Sequence, residues 1–284
     1  MDSSQLLGIT TFTYLFSSIL YAVIFIFRAK SLGPATTVFT SIALLIQTIG
    51  IGLRWQESYQ IGIGHAPLTN MYESLVFFAW TIIAFYLFLE WKYKIRTIGA
   101  FAVPFAFLAM AYASFSTEFS KEISPLIPAL QSNWLIAHVV TCFIGYAAFT
   151  VATGLAIIYL IKNSSASRNS TDESTLLATL PSLSVIDDLT HKSMVFGFLW
   201  LTVGIITGAV WANSAWGTYW SWDPKETWSL ITWFIYAITL HARYTRGWGG
   251  KRIAWLAILG FLSVLFTYYG VNFILSGLHS YGSS

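Results

Sequence analysis

Residues Trp211 to Glu226, WANSAWGTYWSWDPKE, are the most distinctive stretch of the chain, and the rest is arranged around them. Four of the 13 tryptophans lie here, between one apolar segment and the next. We therefore expect a short loop at a membrane surface. Rigid aromatic faces beside small residues such as Gly217 and Ser221 suit a flat, apolar ligand with a polar edge, such as a porphyrin. The alternative is an ordinary tryptophan belt, but a belt distributes its rings over several helix ends and both membrane interfaces.

The composition predicts an integral membrane protein. Hydrophobic residues make up 56% of the 284 residues, charged residues make up 10%, and the mean hydropathy is +0.66. Eight apolar segments are long enough to cross a hydrocarbon core of about 30 Å, and lipid leaves their backbone no partner outside a helix. We predict an all-α fold, with residues 1–284 as one polytopic membrane domain. The predicted spans cover about 5–27, 34–53, 72–91, 98–115, 134–161, 193–211, 227–243 and 253–275.

The basic residues predict the orientation of these spans. Twelve of the 15 Lys and Arg residues fall in one set of loops, whereas Arg54, Lys121 and Lys225 fall in the opposite set. Because cytoplasmic loops carry the excess of basic residues, both termini and the tryptophan loop are predicted on the outer side, in a periplasm or lumen. The first residues, MDSSQ, carry no basic side chain, so we expect the first apolar segment to be a retained span.

Two loops are predicted to differ in character. Residues 211–226 form the outer tryptophan loop, and residues 162–192, which include the polar run NSSASRNSTDEST, form a flexible inner loop. The tryptophan loop leads into a helix start, with Asp223 as N-cap, Pro224 at the first helical position and Glu226 at the third. Such a cap holds the tryptophans at a fixed angle, and a helix N-terminus favours a nearby anion.

Two histidines are predicted at the depth of the tryptophan loop. His138 lies in the first turns of the fifth span, and His279 lies just beyond the eighth, both at outer ends. Imidazole is a good ligand for haem iron, and two imidazoles on opposite faces of a porphyrin give a six-coordinate site. We therefore predict His138 and His279 as haem ligands. The alternative for either residue is a hydrogen-bonding role at the membrane interface.

The sequence supports weaker predictions for the other three histidines. His241 lies near the inner end of the seventh span, where it either receives haem on the inner side or simply extends to the interface. His191 is predicted to be a solvated residue at an inner helix terminus. His65 lies in an outer loop whose glycines and proline give no helical geometry to argue from.

Several other chemistries have no motif in the sequence. No CxxCH occurs, so the chain is not predicted to carry covalently attached haem, and the single cysteine, Cys142, excludes an internal disulfide framework. There is no P-loop, GxSxG or HExxH motif, and no nucleic-acid partner is predicted. The residues alone leave three functions open: haem handling, a b-type haem electron-transfer subunit, and a solute or lipid transporter with an aromatic binding loop.

The segment WGTYWSWDPKETW resembles the tryptophan-rich WWD signature of haem-handling proteins in cytochrome c assembly. Within that superfamily the chain resembles the CcsA-type proteins of System II, in particular cyanobacterial and plastid members. The resemblance extends to GHAPLTNMYESLVFFAW and to the last segment, which contains LHSYG, and it covers most of residues 60–284. The related haem-export or lyase proteins of System I are a near alternative, which the short chain and the LHSYG tail disfavour.

The resemblance implies a function and a set of site residues. Family members bring haem from the inner to the outer face and present it to the CxxCH of an apocytochrome c, together with a Ccs1/CcsB-type membrane partner. The resemblance also implies that the protein is part of a haem lyase complex in a thylakoid or a bacterial plasma membrane. It implies that b-type haem is bound transiently. Fused members supply a second inner histidine from the partner portion, so His241 is expected to act with a partner chain or with His191. The implied haem-handling residues are His138, His279, His241, Trp216, Trp220, Trp222 and Asp223.

Overall fold

The computed structural model describes residues 2–118, 120–166 and 176–275, and in these ranges all regular structure is helical. This confirms the predicted all-α fold. The long helices are α1 (Ser3–Phe27), α2 (Gly33–Gln60), α3 (Met71–Tyr93), α4 (Gly99–Phe115), α5 (Asn133–Ala166), α6 (Leu183–Trp216), α7 (Pro224–Arg246) and α8 (Lys251–Leu265).

Seven helical segments in the described ranges are long and apolar enough to cross a membrane. They include α1 to α6 and the segment Lys251–Ile274, which joins α8 to the turns that follow it. The helix α7 is outside this set because its sequence contains many polar residues, among them Lys225, Glu226 and His241. The predicted span at 227–243 is thus a helix, although its composition alone does not mark it as membrane-crossing.

Several helices extend beyond the predicted spans. The interval 162–192, predicted as a flexible inner loop, is helical at both ends, because α5 continues to Ala166 and α6 begins at Leu183. The interval 211–226, predicted as the tryptophan loop, is also helical at both ends, so the loop itself is 217–223. The predicted loops were too long because apolarity marks the lipid-facing part of a helix, whereas its backbone hydrogen bonds continue into polar sequence.

Helix α5 is central to the bundle. It forms the most extensive helix pair with α6, and it also packs against α3, α4 and α8. A Cβ atom on Gly145 of α5 would lie 3.0 Å from the carbonyl oxygen of Gly197 in α6, and one on Gly197 would lie 2.6 Å from the ring of Phe149. Small residues at such crossings let helix backbones approach closely in membrane proteins. This close pairing fixes the position of α5, which carries His138.

The two described ends of the chain lie at the tryptophan-loop end of the bundle. The backbone N–H of Ser3 donates to Glu57 near the end of α2 at 2.8 Å, and Arg54 of α2 pairs with Glu73 in the first turn of α3. The last described turns of the chain line a cavity together with the tryptophan loop. The assignment of this end to the outer side of a membrane stays a prediction.

A π-helical turn follows α8. Phe266–Gly270 form this turn, and a short helix, α9 (Val271–Ile274), continues from it. A π turn changes which side chains of a helix face its neighbours, and such turns are frequent at functional sites. Thr267, Tyr268 and Asn272 thereby face the cavity at the tryptophan-loop end.

A closed polar cluster surrounds Glu90 at the opposite end of the bundle. The hydroxyls of Tyr21 and Tyr86 donate to its carboxylate at 2.9 and 2.5 Å, and the hydroxyl of Thr37 donates to it as well. Nε of Arg96 lies 3.3 Å from the same carboxylate, which is only 3% exposed as a residue. The cluster ties α1, α2, α3 and the start of α4 together, so this buried charge has a structural role.

Candidate functional site

A cavity of about 190 Å³ lies at the tryptophan-loop end of the bundle. The segment before α3, the first turns of α5 and α7, the second half of α6 and the π-helical turn form its wall. Pockets that enclose a drug-sized ligand usually have about 300–1,000 Å³, so this cavity accommodates one edge of a larger flat ligand. Its lining includes His138, Cys142, Tyr219, Trp220, Lys225 and Asn272.

His138 enters the cavity from the first turns of α5, and a hydrogen bond places a proton on Nδ1 of its ring. Nδ1 lies 2.7 Å from the carbonyl oxygen of Gly204. Because a carbonyl oxygen only accepts, Nδ1 carries a proton, so in the neutral ring Nε2 is the nitrogen with a lone pair for a metal. Histidines that bind metals usually donate their second N–H in this way. His138 is therefore held in the tautomer that a metal ligand requires.

Two glycines of α6 make room for this histidine. A Cβ atom on Gly208 would lie 2.6 Å from Nδ1 of His138, and one on Gly204 would lie 2.6 Å from Sγ of Cys142. A side chain at either position would displace the imidazole or the thiol. The glycines are four residues apart, so they lie on one face of α6, and that face receives His138.

Trp211 and Trp216 pack behind His138. The indole of Trp211 stacks on the imidazole with ring centroids 5.8 Å apart and an interplanar angle of 17°. Trp211 is 1% exposed, and its Nε1 donates to the carbonyl oxygen of Ala129 at 2.9 Å. Trp216 meets Trp211 edge to face at 4.9 Å. The first two tryptophans of the stretch therefore support the histidine from within α6.

The loop 217–223 is fixed by the start of α7. Oδ1 of Asp223 accepts from the backbone N–H of Lys225 at 2.9 Å, and the Glu226 carboxylate accepts from the backbone N–H of Asp223 at 3.2 Å. The predicted capping box is thus confirmed. Glu226 also accepts from the backbone N–H of Ser221 at 2.8 Å, so one carboxylate holds both the helix start and the loop.

The loop divides its aromatic rings between the cavity and the surface. Tyr219 and Trp220 line the cavity, whereas Trp222 is 68% exposed and meets Trp220 edge to face at 5.7 Å. Trp222 has a φ of 60°, a left-handed conformation that costs a bulky residue about 1–2 kcal/mol. Strained residues of this kind are concentrated at functional sites. The strained backbone presents Trp222 outward beside the cavity.

Lys225 brings a positive charge to the cavity. Its Nζ donates to Oδ1 of Asn272 at 2.8 Å, and Nδ2 of Asn272 donates to the carbonyl oxygen of Tyr268 at 2.7 Å. The hydroxyls of Tyr268 and Ser74 share a hydrogen bond of 2.6 Å. These contacts link α7, the π-helical turn and α3, so three elements position the ammonium.

A buried ion pair anchors the wall before α3. Nε of Arg54 lies 2.8 Å from Oε1 of Glu73, and both side chains are buried. The other carboxylate oxygen of Glu73 accepts from the backbone N–H and the hydroxyl of Thr69, each at 3.0 Å. Asn70 caps α3 by accepting from the backbone N–H of Glu73 at 2.8 Å. Thr69 and Asn70 both line the cavity, so the ion pair fixes that wall.

Two histidines have roles in packing away from the cavity. The ring nitrogens of His65 lie 2.9 Å from the carbonyl oxygen of Ala66 and 3.1 Å from that of Ser124. His65 therefore connects two loops. Nε2 of His191 lies 3.2 Å from the hydroxyl of Tyr244, so this residue joins α6 to the last turns of α7. It is half-buried, not the solvated terminus residue that was predicted.

The structure brings together only part of the predicted site. His138 and Trp220 line one cavity, and Trp222 and Asp223 lie directly beside it. His241 is exposed on α7 and does not line the cavity, and His279 lies outside the described residues. Within the described ranges no three His, Cys, Asp or Glu side chains converge as a metal site. The described part of the cavity thus offers one histidine to an iron atom.

Sequence analysis missed Lys225 and Asn272 as cavity residues. A signal for Lys225 existed, because it is one of three basic residues on the predicted outer side and follows the tryptophans directly. The other two are engaged, Arg54 with Glu73 and Lys121 with the carbonyl oxygen of Ser114. Nothing comparable marked Asn272, because a π-helical turn, which has no sequence period of its own, aims it at the cavity.

Comparison with known sequences gives consistent matches. Residues 68–279 match the family model described as Cytochrome C assembly protein. The chain is 41% identical to the cytochrome c biogenesis protein CcsA of Guillardia theta, over 97% of this chain and 95% of that protein. It is 44% identical to CcsA of Mesostigma viride, over 82% and 81%. It is 40% identical to CcsA of Picosynechococcus sp., over 87% of each.

A solved structure has a similar fold. The chain superimposes on cytochrome c heme lyase CcmF with a TM-score of 0.67 over 95% of its length. Sequence identity is 17%, so the similarity is one of fold alone. The chain spans about half the length of CcmF, since 47% of that protein is covered.

Proposed function

This chain belongs to the cytochrome c assembly family as a CcsA-type member, and on that basis we propose that it handles haem and takes part in attaching haem to apocytochromes c. It is a multi-pass membrane protein. In this proposal the cavity and the tryptophan loop receive haem at one end of the bundle. The haem is b-type, bound transiently as a substrate.

The observation that carries the proposal is the fixed tautomer of His138 inside the cavity. Its Nδ1 proton is committed to the carbonyl oxygen of Gly204, so Nε2 is the nitrogen that binds iron. Trp220 supplies an aromatic wall of the same cavity. We propose His279 as the second axial ligand, on the opposite face of the porphyrin, which gives a six-coordinate iron.

The tryptophan loop positions the reacting edge of haem. Attachment adds the S–H of a CxxCH cysteine across a vinyl C=C, so sulfur bonds one vinyl carbon, hydrogen bonds the other, and no electrons are gained or lost. The chain contributes binding, orientation and exclusion of water. Trp216 and Trp220 support and flank the haem, exposed Trp222 faces the incoming cytochrome, and Asp223 holds the loop in shape.

We propose His241 as a haem ligand at the opposite end of α7. Its exposed position suits a haem shared with another chain. His191 is already hydrogen-bonded to Tyr244, which favours a histidine of a Ccs1/CcsB-type partner as the second ligand. With that partner the chain would form a haem lyase complex in a thylakoid or bacterial plasma membrane. The tryptophan loop would face the lumen or periplasm.

Family membership favours this function over the alternatives that the residues alone left open. An electron-transfer subunit retains its haem, and a transporter needs no iron ligand. The relatives reported above are CcsA-type proteins that match most of the chain. The same relatives favour System II over System I.

The test is the absorption spectrum of the full chain purified with its co-expressed partner, for wild type and four histidine variants. We expect a six-coordinate haem spectrum in wild type. His138→Ala and His279→Ala should each lose most of this haem, and added imidazole should restore it. His241→Ala should remove a separate haem population. His191→Ala is the matched control and should retain both populations.

Different results would contradict different parts of the proposal. A wild-type chain without haem, or with haem indifferent to His138→Ala, would contradict the cavity as the haem site. Haem that is stoichiometric and never transferred to apocytochrome would favour the electron-transfer subunit. If His191→Ala lost the His241-dependent haem, the second ligand of that haem would be His191 and not a histidine of the partner.

A further inference from the structure

Lys225 lines the cavity but has no part in the proposed iron ligation or in stacking. We propose that its ammonium, held by Asn272, binds a propionate carboxylate of haem and so selects which edge of the porphyrin enters the cavity. This inference deepens the proposed function and rests on it.

The environment of Lys225 is incomplete without an anion. The side chain is half-buried, and in the described part of the chain its ammonium makes one hydrogen bond, to the neutral amide oxygen of Asn272 at 2.8 Å. No ion pair joins it to a carboxylate there. Asp223 acts on this ammonium through space but forms no ion pair with it. An ammonium has three donors, and donors that are removed from water without an acceptor are unfavourable. A carboxylate ligand would accept the remaining donors in charge-assisted hydrogen bonds.

The two acids at the start of α7 are directed toward the backbone. Asp223 accepts from the N–H of Lys225, and Glu226, which also lines the cavity, accepts from the N–H groups of Ser221 and Asp223. Their carboxylates serve as caps for the loop and helix. Lys225 therefore remains the cationic side chain that faces the cavity, and Asn272 keeps it there because its own amide is fixed on Tyr268.

The position of Lys225 sets the orientation of the porphyrin. Both propionates of haem lie on one edge, and the vinyl groups lie away from it. With a propionate on Lys225, near buried Cys142 and Tyr268, the vinyl-bearing edge lies away from these buried residues. That is the edge at which cysteine thiols of an apocytochrome must react.

The experiment compares haem with haem dimethyl ester, whose propionates carry no charge. Each is titrated by Soret absorbance into the full chain with its partner after removal of co-purified haem. We expect wild type to prefer haem by about tenfold or more. Lys225→Met should bind haem more weakly but bind the ester as wild type does, so the preference is lost. Lys225→Arg should keep the preference. Lys192→Met, which removes an exposed ion pair with Asp188, is the matched control and should keep the preference.

A second variant separates binding from folding. Asn272→Asp supplies Lys225 with an internal carboxylate, so we expect it to lose the preference for haem while its affinity for the ester stays unchanged. Equal affinity of wild type for both ligands would overturn the carboxylate site and leave haem handling intact. If Lys225→Met and Asn272→Asp each bound haem and the ester more weakly by the same factor, the two residues would have a structural role. That result would overturn the carboxylate site too. A wild type that binds neither ligand would contradict the proposed function itself.

Discussion

At one end of the bundle the carboxylate of Glu90 is enclosed by three hydroxyls and Arg96, whereas at the other end the ammonium of Lys225 faces a cavity and donates to one amide oxygen. Both groups are charged and largely removed from solvent. They differ in whether the protein itself completes their hydrogen bonds.

This difference separates structure from function in a chain with few charges. A buried charge whose partners all come from the protein holds helices together, because removal of any partner leaves the others unsatisfied. A buried charge that faces an open cavity costs stability and is retained for a ligand. By this criterion the Glu90 cluster is structural, and the cavity that contains His138 and Lys225 is the proposed functional site.

The largest expected effect is the loss of stability when the closed cluster around Glu90 is broken. Glu90→Ala removes the acceptor of the buried hydroxyls of Tyr21 and Tyr86 and of the half-buried hydroxyl of Thr37. The free energy of unfolding should therefore fall by about 2–3 kcal/mol. The ion pair with Arg96 adds little to this, because the Arg96 side chain is 38% exposed. Denaturant-induced unfolding in detergent micelles measures the change. Haem affinity of the folded fraction should equal that of wild type.

Glu118→Ala is the matched control for this prediction. Glu118 also accepts from a tyrosine hydroxyl, that of Tyr112, but it is exposed. Its removal should change the free energy of unfolding by less than about 0.5 kcal/mol. If Glu90→Ala were as stable as Glu118→Ala, or if it lost haem before it lost stability, the division between a structural and a functional end would be wrong.

The next largest effect is expected on haem binding, when the position of His138 in the open cavity is disturbed. In Gly208→Ala the new Cβ would lie 2.6 Å from Nδ1 of His138, so the ring must move and give up its hydrogen bond to Gly204. We expect haem binding to weaken roughly tenfold, measured by Soret titration of the complex with its partner. The Glu90 cluster should be unaffected.

Gly52→Ala tests whether this result is specific. Gly52 also lies within a helix, but a Cβ there would meet nothing within 4 Å. The variant should bind haem as wild type does and gain slightly in helix stability. Wild-type haem affinity in Gly208→Ala would show that the position of His138 is not critical, and the assigned ligand would have to be reconsidered.

The fold was largely predictable because membrane helices are marked by composition. Runs of apolar residues located all eight long helices, although the run in α7 is too polar to mark a membrane span by itself. The Asp223 and Glu226 pattern gave the start of α7. The boundaries were less predictable, since α6 continues through Trp211 to Trp216 although its apolar run ends earlier. Hydrogen bonding, not hydropathy, ends a helix.

The sequence predicted part of the candidate site by residue type, but not its geometry. His138 and Trp220 were identified from the sequence, and they share a cavity. The stacking of Trp211 on His138 was not foreseeable, because it depends on how α5 crosses α6 at small residues. Asn272 was not foreseeable either, because the π-helical turn changes the face that it presents.

The smallest effect on stability is expected at Trp222. Trp222→Gly relieves a left-handed strain of about 1–2 kcal/mol but adds unfolded-state entropy worth about 0.5–1 kcal/mol, so the free energy of unfolding should change by less than about 1 kcal/mol. Haem attachment to a co-expressed apocytochrome c should nevertheless fall, because the exposed indole is lost. Lys94→Gly is the control, because Lys94 also has a left-handed φ, 59°, at the C-cap of α3. This variant should leave haem attachment unchanged. If both variants attached haem equally well, the strain at Trp222 would serve the turn alone, and the cavity would act without its exposed tryptophan.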